Sequence, residues 1–155
     1  PKIRGIFRLS YGSTVGVWTM QMMQLNVTTD YAIRTVLYLA IKDELATSNE
    51  IAMAMGIPPS YVLKITSKLV VAGIIKRIVG AQGGFLLAKK PTEISLYEII
   101  NVLEATTKLN RCLEVGRYCS RFATENCPVR AFYCELQSLI EKKLQAMTVA
   151  SLLHG

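Results

Sequence analysis

The chain carries a single histidine, His154, and no cysteine before position 112. With no histidine in its body, and no paired carboxylates or nucleophile–base set, it lacks the groups that most acid–base and covalent catalysts use. An enzyme is therefore not expected. No apolar run approaches the roughly 20 residues needed to cross a bilayer, so no membrane partner is expected. The cysteines lack the dense, even spread of a secreted disulfide scaffold, which points to a reducing cytoplasm. Acids are also few. Eleven Asp and Glu face 18 Lys and Arg, and the net charge of +7 favours an anionic partner without specifying one.

What is present is concentrated. All four cysteines fall between positions 112 and 134, the first three in the polar stretch RCLEVGRYCSRFATENCP with the spacing C-x6-C-x7-C. Thiolates are preferred ligands of soft metals and iron–sulfur clusters, and three on one loop can converge without a core to place them. A metal or redox centre at Cys112, Cys119 and Cys127 is the leading reading, beside a disulfide pair or simple free thiols. Cys134 lies seven residues past Cys127 on an expected helix, hence about 10 Å farther along the axis. It is expected to be a packed residue outside the site.

At 155 residues and 51% hydrophobic, the chain suits one domain with an appended element. Apolar periodicity begins near Thr28 and runs through Tyr31, Ile33, Val36, Leu37, Leu39, Ala40 and Ile41, which predicts a core helix. Ser48-Asn49-Glu50 supplies N-cap candidates for a short helix that Gly56 stops. Ile57-Pro58-Pro59-Ser60 then leads into a third helix, buried at Val62, Ile65, Thr66, Leu69 and Val70 and ended by Gly73. Two short helices around a glycine turn make a helix-turn-helix. The β-prone runs beginning at Ile74 and Phe85, around Gly80-Ala81-Gln82-Gly83-Gly84, predict a hairpin wing. The glycine-rich tip lacks the lysine and following helix of a phosphate loop.

The expected architecture is mainly α with a small β-hairpin wing. A winged helix-turn-helix domain at 23–91 is followed by a linking helix at 92–110 and a cysteine loop at 111–127. A long dimerisation helix and tail occupy 128–155, with Val129, Phe132, Tyr133, Leu136, Leu139, Ile140, Leu144 and Met147 on the helix's apolar side. Residues 1–22, with Lys2, Arg4 and Arg8 and no acid, read as a basic arm toward DNA or as an extension outside the fold, which would then begin at Met22 or Met23. They do not fit a secretory signal. In such a domain Ser60, Tyr61, Lys64, Ser67 and Lys68 lie on the outer side of the recognition helix. Lys76 and Arg77 flank the wing, whose Gly83-Gly84 tip is placed to approach a minor groove.

The segments TTDYAIRTVLYLA, EIAMAMGIPPSYVLKITSKLVVAGII and GAQGGFLLAKKPTEISLYEII, followed by the three-cysteine loop, resemble the Rrf2 family of bacterial winged-helix regulators. The resemblance runs from Met23 onward. It implies a homodimer on a double-stranded DNA operator, a repressor whose affinity is controlled by an iron–sulfur cluster sensing nitric oxide, redox state or iron–sulfur supply. By position, Cys112, Cys119 and Cys127 match the cluster cysteines of that branch. In IscR-like members a histidine follows three residues after the last cysteine; here that residue is Arg130. In NsrR-like members an aspartate from the partner subunit completes a 4Fe–4S site, and Asp30 stands at that position, which favours 4Fe–4S over 2Fe–2S. Asp30 also reads as an ordinary helix cap. Leu63 and Val79 stand where IscR-like members carry a glutamate and an arginine toward DNA. The alternative is a zinc- or thiol-based regulator of the same fold acting through a partner enzyme.

Overall fold

Val27–Lys42 forms α1, because Thr29, Ala32, Thr35, Val36 and Leu39 recur at helical spacing and are all buried. The computed structural model describes residues 24–116, 119–121 and 125–154; the basic stretch 1–22 lies outside them. Ile41, expected in the core, is exposed at the last turn of α1. Asp43 ends the helix in the left-handed region (φ 52°), donating its N–H to the Leu39 carbonyl.

Two short helices follow. α2 (Ser48–Met55) is capped by Thr47, one residue before the expected Ser48-Asn49-Glu50, and its hydroxyl accepts the Glu50 N–H at 3.2 Å. The Glu50 carboxylate turns instead to Lys42 and to the Tyr38 hydroxyl, tying α2 to the end of α1. Gly56 closes α2 at φ 63°, as expected. α3 (Pro59–Val71) buries Val62, Ile65, Thr66 and Leu69. It ends in a Schellman turn: Gly73 (φ 69°) donates to Val70 and Ile74 donates to Leu69.

β1 (Ile75–Ile78) and β2 (Gly84–Leu87) pair antiparallel, with Ile75 opposite Leu87 and Ile78 opposite Gly84. Ala46 and Phe85 exchange backbone hydrogen bonds of 3.0 and 2.8 Å, so the α1–α2 connection lies along the other edge of β2. A Cβ on Gly84 would stand 2.5 Å from the Ala46 carbonyl oxygen, which is why only glycine fits there. This residue is buried where β2 begins, opposite Ile78 and against the α1–α2 connection, so it is not an open part of the tip.

A 3-10 turn at Pro91–Glu93 precedes α4 (Leu96–Leu103), which is capped by Ser95. The linking helix expected over 92–110 is thus confined to eight residues, because Glu104 turns extended (ψ 139°) and sends its carboxylate to the start of α1. α5 (Pro128–Ala146) follows the cysteine loop. A further helix, α6 (Val149–His154), stands where only a tail was expected. Val149 is fully buried, its N–H reaches the Ile94 carbonyl, and the Leu96 N–H reaches the Met147 carbonyl, so the end of the chain closes onto the core.

The core joins α1, α2, α3, the hairpin base, α4 and α6. In contrast, α5 buries only Gln137 and leaves Val129, Phe132 and Leu139 at 54, 58 and 59% exposure. No helix among the described residues is long and apolar enough to cross a membrane.

Candidate functional site

Two places carry the chemistry: the outer face of α3 with the wing, and the loop between α4 and α5. On α3, Ser60, Tyr61, Lys64, Ser67 and Lys68 are all exposed, as expected. Their freedom differs. The Ser67 hydroxyl donates to the Leu63 carbonyl at 2.8 Å, so one of its hydrogen-bonding groups is already spent on the helix. The Tyr61 ring meets Tyr31 of α1 edge-on, at 5.6 Å and 82°, an arrangement worth about 0.5–1.5 kcal/mol beyond burial. Arg34 lies over the same Tyr31 ring at 5.7 Å and pairs with Asp30 at 2.5 Å. The second turn of α1 is therefore in direct contact with the first turn of α3.

The wing separates its two basic residues. Lys76 and Arg77 are both exposed, but neighbouring strand residues face opposite sides, so they lie on different faces of the hairpin. The tip runs through Val79, 86% exposed, to the half-buried Gly83.

At the loop, the Asn110 side chain accepts the Cys112 N–H at 3.2 Å and starts a 3-10 turn over Arg111–Leu113. Arg130 Nε donates to the Cys112 carbonyl at 3.1 Å, fastening the loop's first cysteine to α5. Cys127 is the residue immediately before α5, and Pro128 occupies its first position, where no N–H is needed. Cys112, Cys119 and Cys127 are half-buried and joined in no disulfide. Cys134 is exposed on α5, whereas packing was expected.

The donor chemistry of three partly accessible thiols suits a soft metal or an iron–sulfur cluster. Their arrangement in one chain does not complete such a site. Among the described residues, no three His, Cys, Asp or Glu side chains are gathered as a metal ion requires. Asp30 lies in the first turn of α1, half-exposed and paired with Arg34. It does not cap the helix: Asn26 holds that position and makes no side-chain cap of its own.

The cap comes from a residue that sequence reasoning missed. The Glu104 carboxylate accepts the Asn26 N–H (2.8 Å), the Asn26 side-chain amide (2.6 Å) and the Thr29 hydroxyl (2.6 Å). Burial raises the pKa of this acid, but the three donors together outweigh it and hold Glu104 below the ordinary carboxylate range. Gln137 was also missed. Its Oε1 accepts the Leu109 N–H (2.9 Å) and its Nε2 donates to the Thr107 carbonyl (3.0 Å), while Lys108 reaches Glu141 at 2.7 Å. These bonds strap the approach to the cysteine loop along α5. Local sequence offered no signal for either residue, because each partner lies 28 or more positions away.

Comparison with known proteins places this arrangement. The family described as "Rrf2: Iron-dependent Transcriptional regulator" matches residues 25–155. An HTH-type transcriptional regulator of Aquifex aeolicus is 33% identical over 85% of this chain and 92% of its own length. The HTH-type transcriptional regulator NsrR of Geobacillus kaustophilus is 34% identical over 85% of this chain and 90% of its own. Among solved structures, CymR, the global cysteine regulator of B. subtilis, aligns with a TM-score of 0.70 at 25% identity, covering 84% of this chain and 96% of CymR.

Proposed function

This chain belongs to the Rrf2 family of transcriptional regulators, and on that premise we propose that it is a dimeric, cytoplasmic repressor whose operator affinity is set by an iron–sulfur cluster. Cys112, Cys119 and Cys127 would hold a 4Fe–4S cluster together with Asp30 of the partner subunit. The observation that carries this reading is the loop itself: three cysteines joined in no disulfide, the first bonded to α5 through Arg130 and the last immediately preceding that helix. The likeness to NsrR supports it. The exposed stripe Val129, Phe132 and Leu139 on α5 supports a second copy as its cover.

When bound, the cluster supplies a centre at which nitric oxide or oxidants react. The residues of this chain do the rest. Ligation by Asp30 competes with its ion pair to Arg34, and Arg34 stacks on Tyr31, which touches Tyr61. A change at the first turn of α1 therefore reaches the first turn of α3 through contacting side chains. The two ligation states shift DNA affinity only by the difference in their own affinities for the operator. Lys64 and Lys68 supply phosphate contacts, with Ser60, Tyr61, Ser67, one face of the wing at Lys76 or Arg77, and the Gly83 tip completing the interface.

A second reading keeps the fold and replaces the cluster: a zinc- or thiol-based regulator working through a partner enzyme. The likeness to CymR favours it. Anaerobic purification separates the two. Brown protein with equal iron and acid-labile sulfide, lost in Cys112→Ala and altered in Asp30→Ala, supports the cluster. Colourless protein with stoichiometric zinc sinks it. Equal promoter binding by loaded and metal-free protein sinks regulation by either metal centre.

A further inference from the structure

The outer side of α3 has fewer free polar groups than its sequence suggests. Ser67 returns its hydroxyl to the Leu63 carbonyl of the preceding turn, and the Tyr61 ring meets Tyr31 edge-on. Ser60, the Tyr61 hydroxyl, Lys64 and Lys68 remain as polar reading groups, and the two lysines serve phosphates better than bases. Between Ser60 and Lys64 stands Leu63, 57% exposed on the same helix. A lone exposed leucine needs no explanation on an ordinary surface. On a helix that enters a major groove it does, because base edges there are donors and acceptors that leucine would strip of water without replacing. One group in that groove is different: the C5 methyl of thymine.

We infer that Leu63 is a specificity-determining residue that seats against a thymine methyl, so that each half-site carries thymine where Leu63 meets it. The inference rests on α3 being the recognition helix. Leu63 contributes sequence choice, whereas its neighbour Lys64 contributes affinity and salt dependence. Val71, the other strongly exposed apolar residue of α3, is eight residues on and hence about 12 Å farther along the axis, too far to share that contact.

The test uses the full-length chain purified anaerobically, in loaded and metal-free form, and a duplex selected from a random library. Each thymine of the selected operator is replaced in turn by deoxyuridine, which removes only the methyl. The wild-type chain should lose about fourfold in affinity at one position per half-site, the equivalent of one methyl at ~0.8 kcal/mol. Leu63→Ala should bind more weakly, lose that discrimination and keep the wild-type salt dependence. Leu63→Met, which keeps an apolar side chain, should retain the discrimination. Indifference of the wild-type chain to every deoxyuridine, or the same sensitivity in Leu63→Ala, overturns the role of Leu63 while leaving α3 as the recognition helix. Failure of both forms to select any sequence overturns the recognition-helix reading and the Leu63 contact with it.

Discussion

The winged-helix body and the cysteine loop are joined in one chain but held by different means. From α1 to α4 the body is fixed by fully buried aliphatic side chains, among them Leu39, Ile51, Ile65, Leu69 and Ile99, with Val149 of α6 added from the far end. In the loop, Cys112 donates its N–H to the Asn110 side chain and accepts from Arg130, and no described residue from 111 to 127 is buried. A segment fixed by its own hydrophobic burial is a constant of the molecule. A segment held by a few polar contacts can be set by whatever binds its thiols, since ligand binding then supplies the ordering free energy.

That contrast can be broken by mutation, the largest effect first. Leu39→Ala empties a fully buried position and should cost about 2–5 kcal/mol in urea unfolding. A smaller loss would mean that the body is looser than its burial implies. Glu104→Gln removes the charged acceptor at the start of α1 and should cost about 1–2 kcal/mol near neutral pH. Because the folded Glu104 titrates below its ordinary 4.5, its contribution is present above that value and fades as pH falls through the folded pKa. Wild type and Glu104→Gln should therefore converge in stability under acid; parallel pH profiles would remove Glu104 from this role.

Effects in the loop should be smaller and local. Arg130→Ala should cost about 0.5–1 kcal/mol and speed proteolysis between Arg111 and Cys127, leaving the melting of the body nearly unchanged. Cys112→Ala, which keeps both backbone hydrogen bonds, should alter the stability of metal-free protein by less than about 0.5 kcal/mol. If the same substitution destabilises ligand-loaded protein by several kcal/mol, the contrast is sharpened; if it does so in the metal-free chain, the loop is part of the core after all.

The body was legible because its signals are local. Periodicity at Val62, Ile65 and Leu69, the glycines at 56 and 73, and the run around Gly83 each act within a few residues. The placement of Cys134 on a helix, apart from the three loop cysteines, was legible for the same reason. Long-range polar pairing was not: Glu104 shortens the linking helix by reaching back 78 positions, and Gln137 straps Leu109 across 28. α6 was missed because six residues carry too little periodicity to separate a helix from a tail. Gly84 was assigned to the tip because its sequence shows only a glycine pair, whereas its requirement comes from the backbone of Ala46.

The closure of α6 onto the core also gives α5 a mechanical character. Its final carbonyl-bearing neighbour, Met147, is pinned by the Leu96 N–H, and Val149 is locked immediately beyond. Nineteen residues upstream, its other end carries Cys127. A helix of that length spans about 28 Å, and Gln137 braces it at mid-length, so it works as a beam whose overhang ends at the thiol. A tilt of about 5° at the brace would move the thiol end, ten residues away, by about 1 Å, the geometry of a pointer whose short movement is read at its pivot.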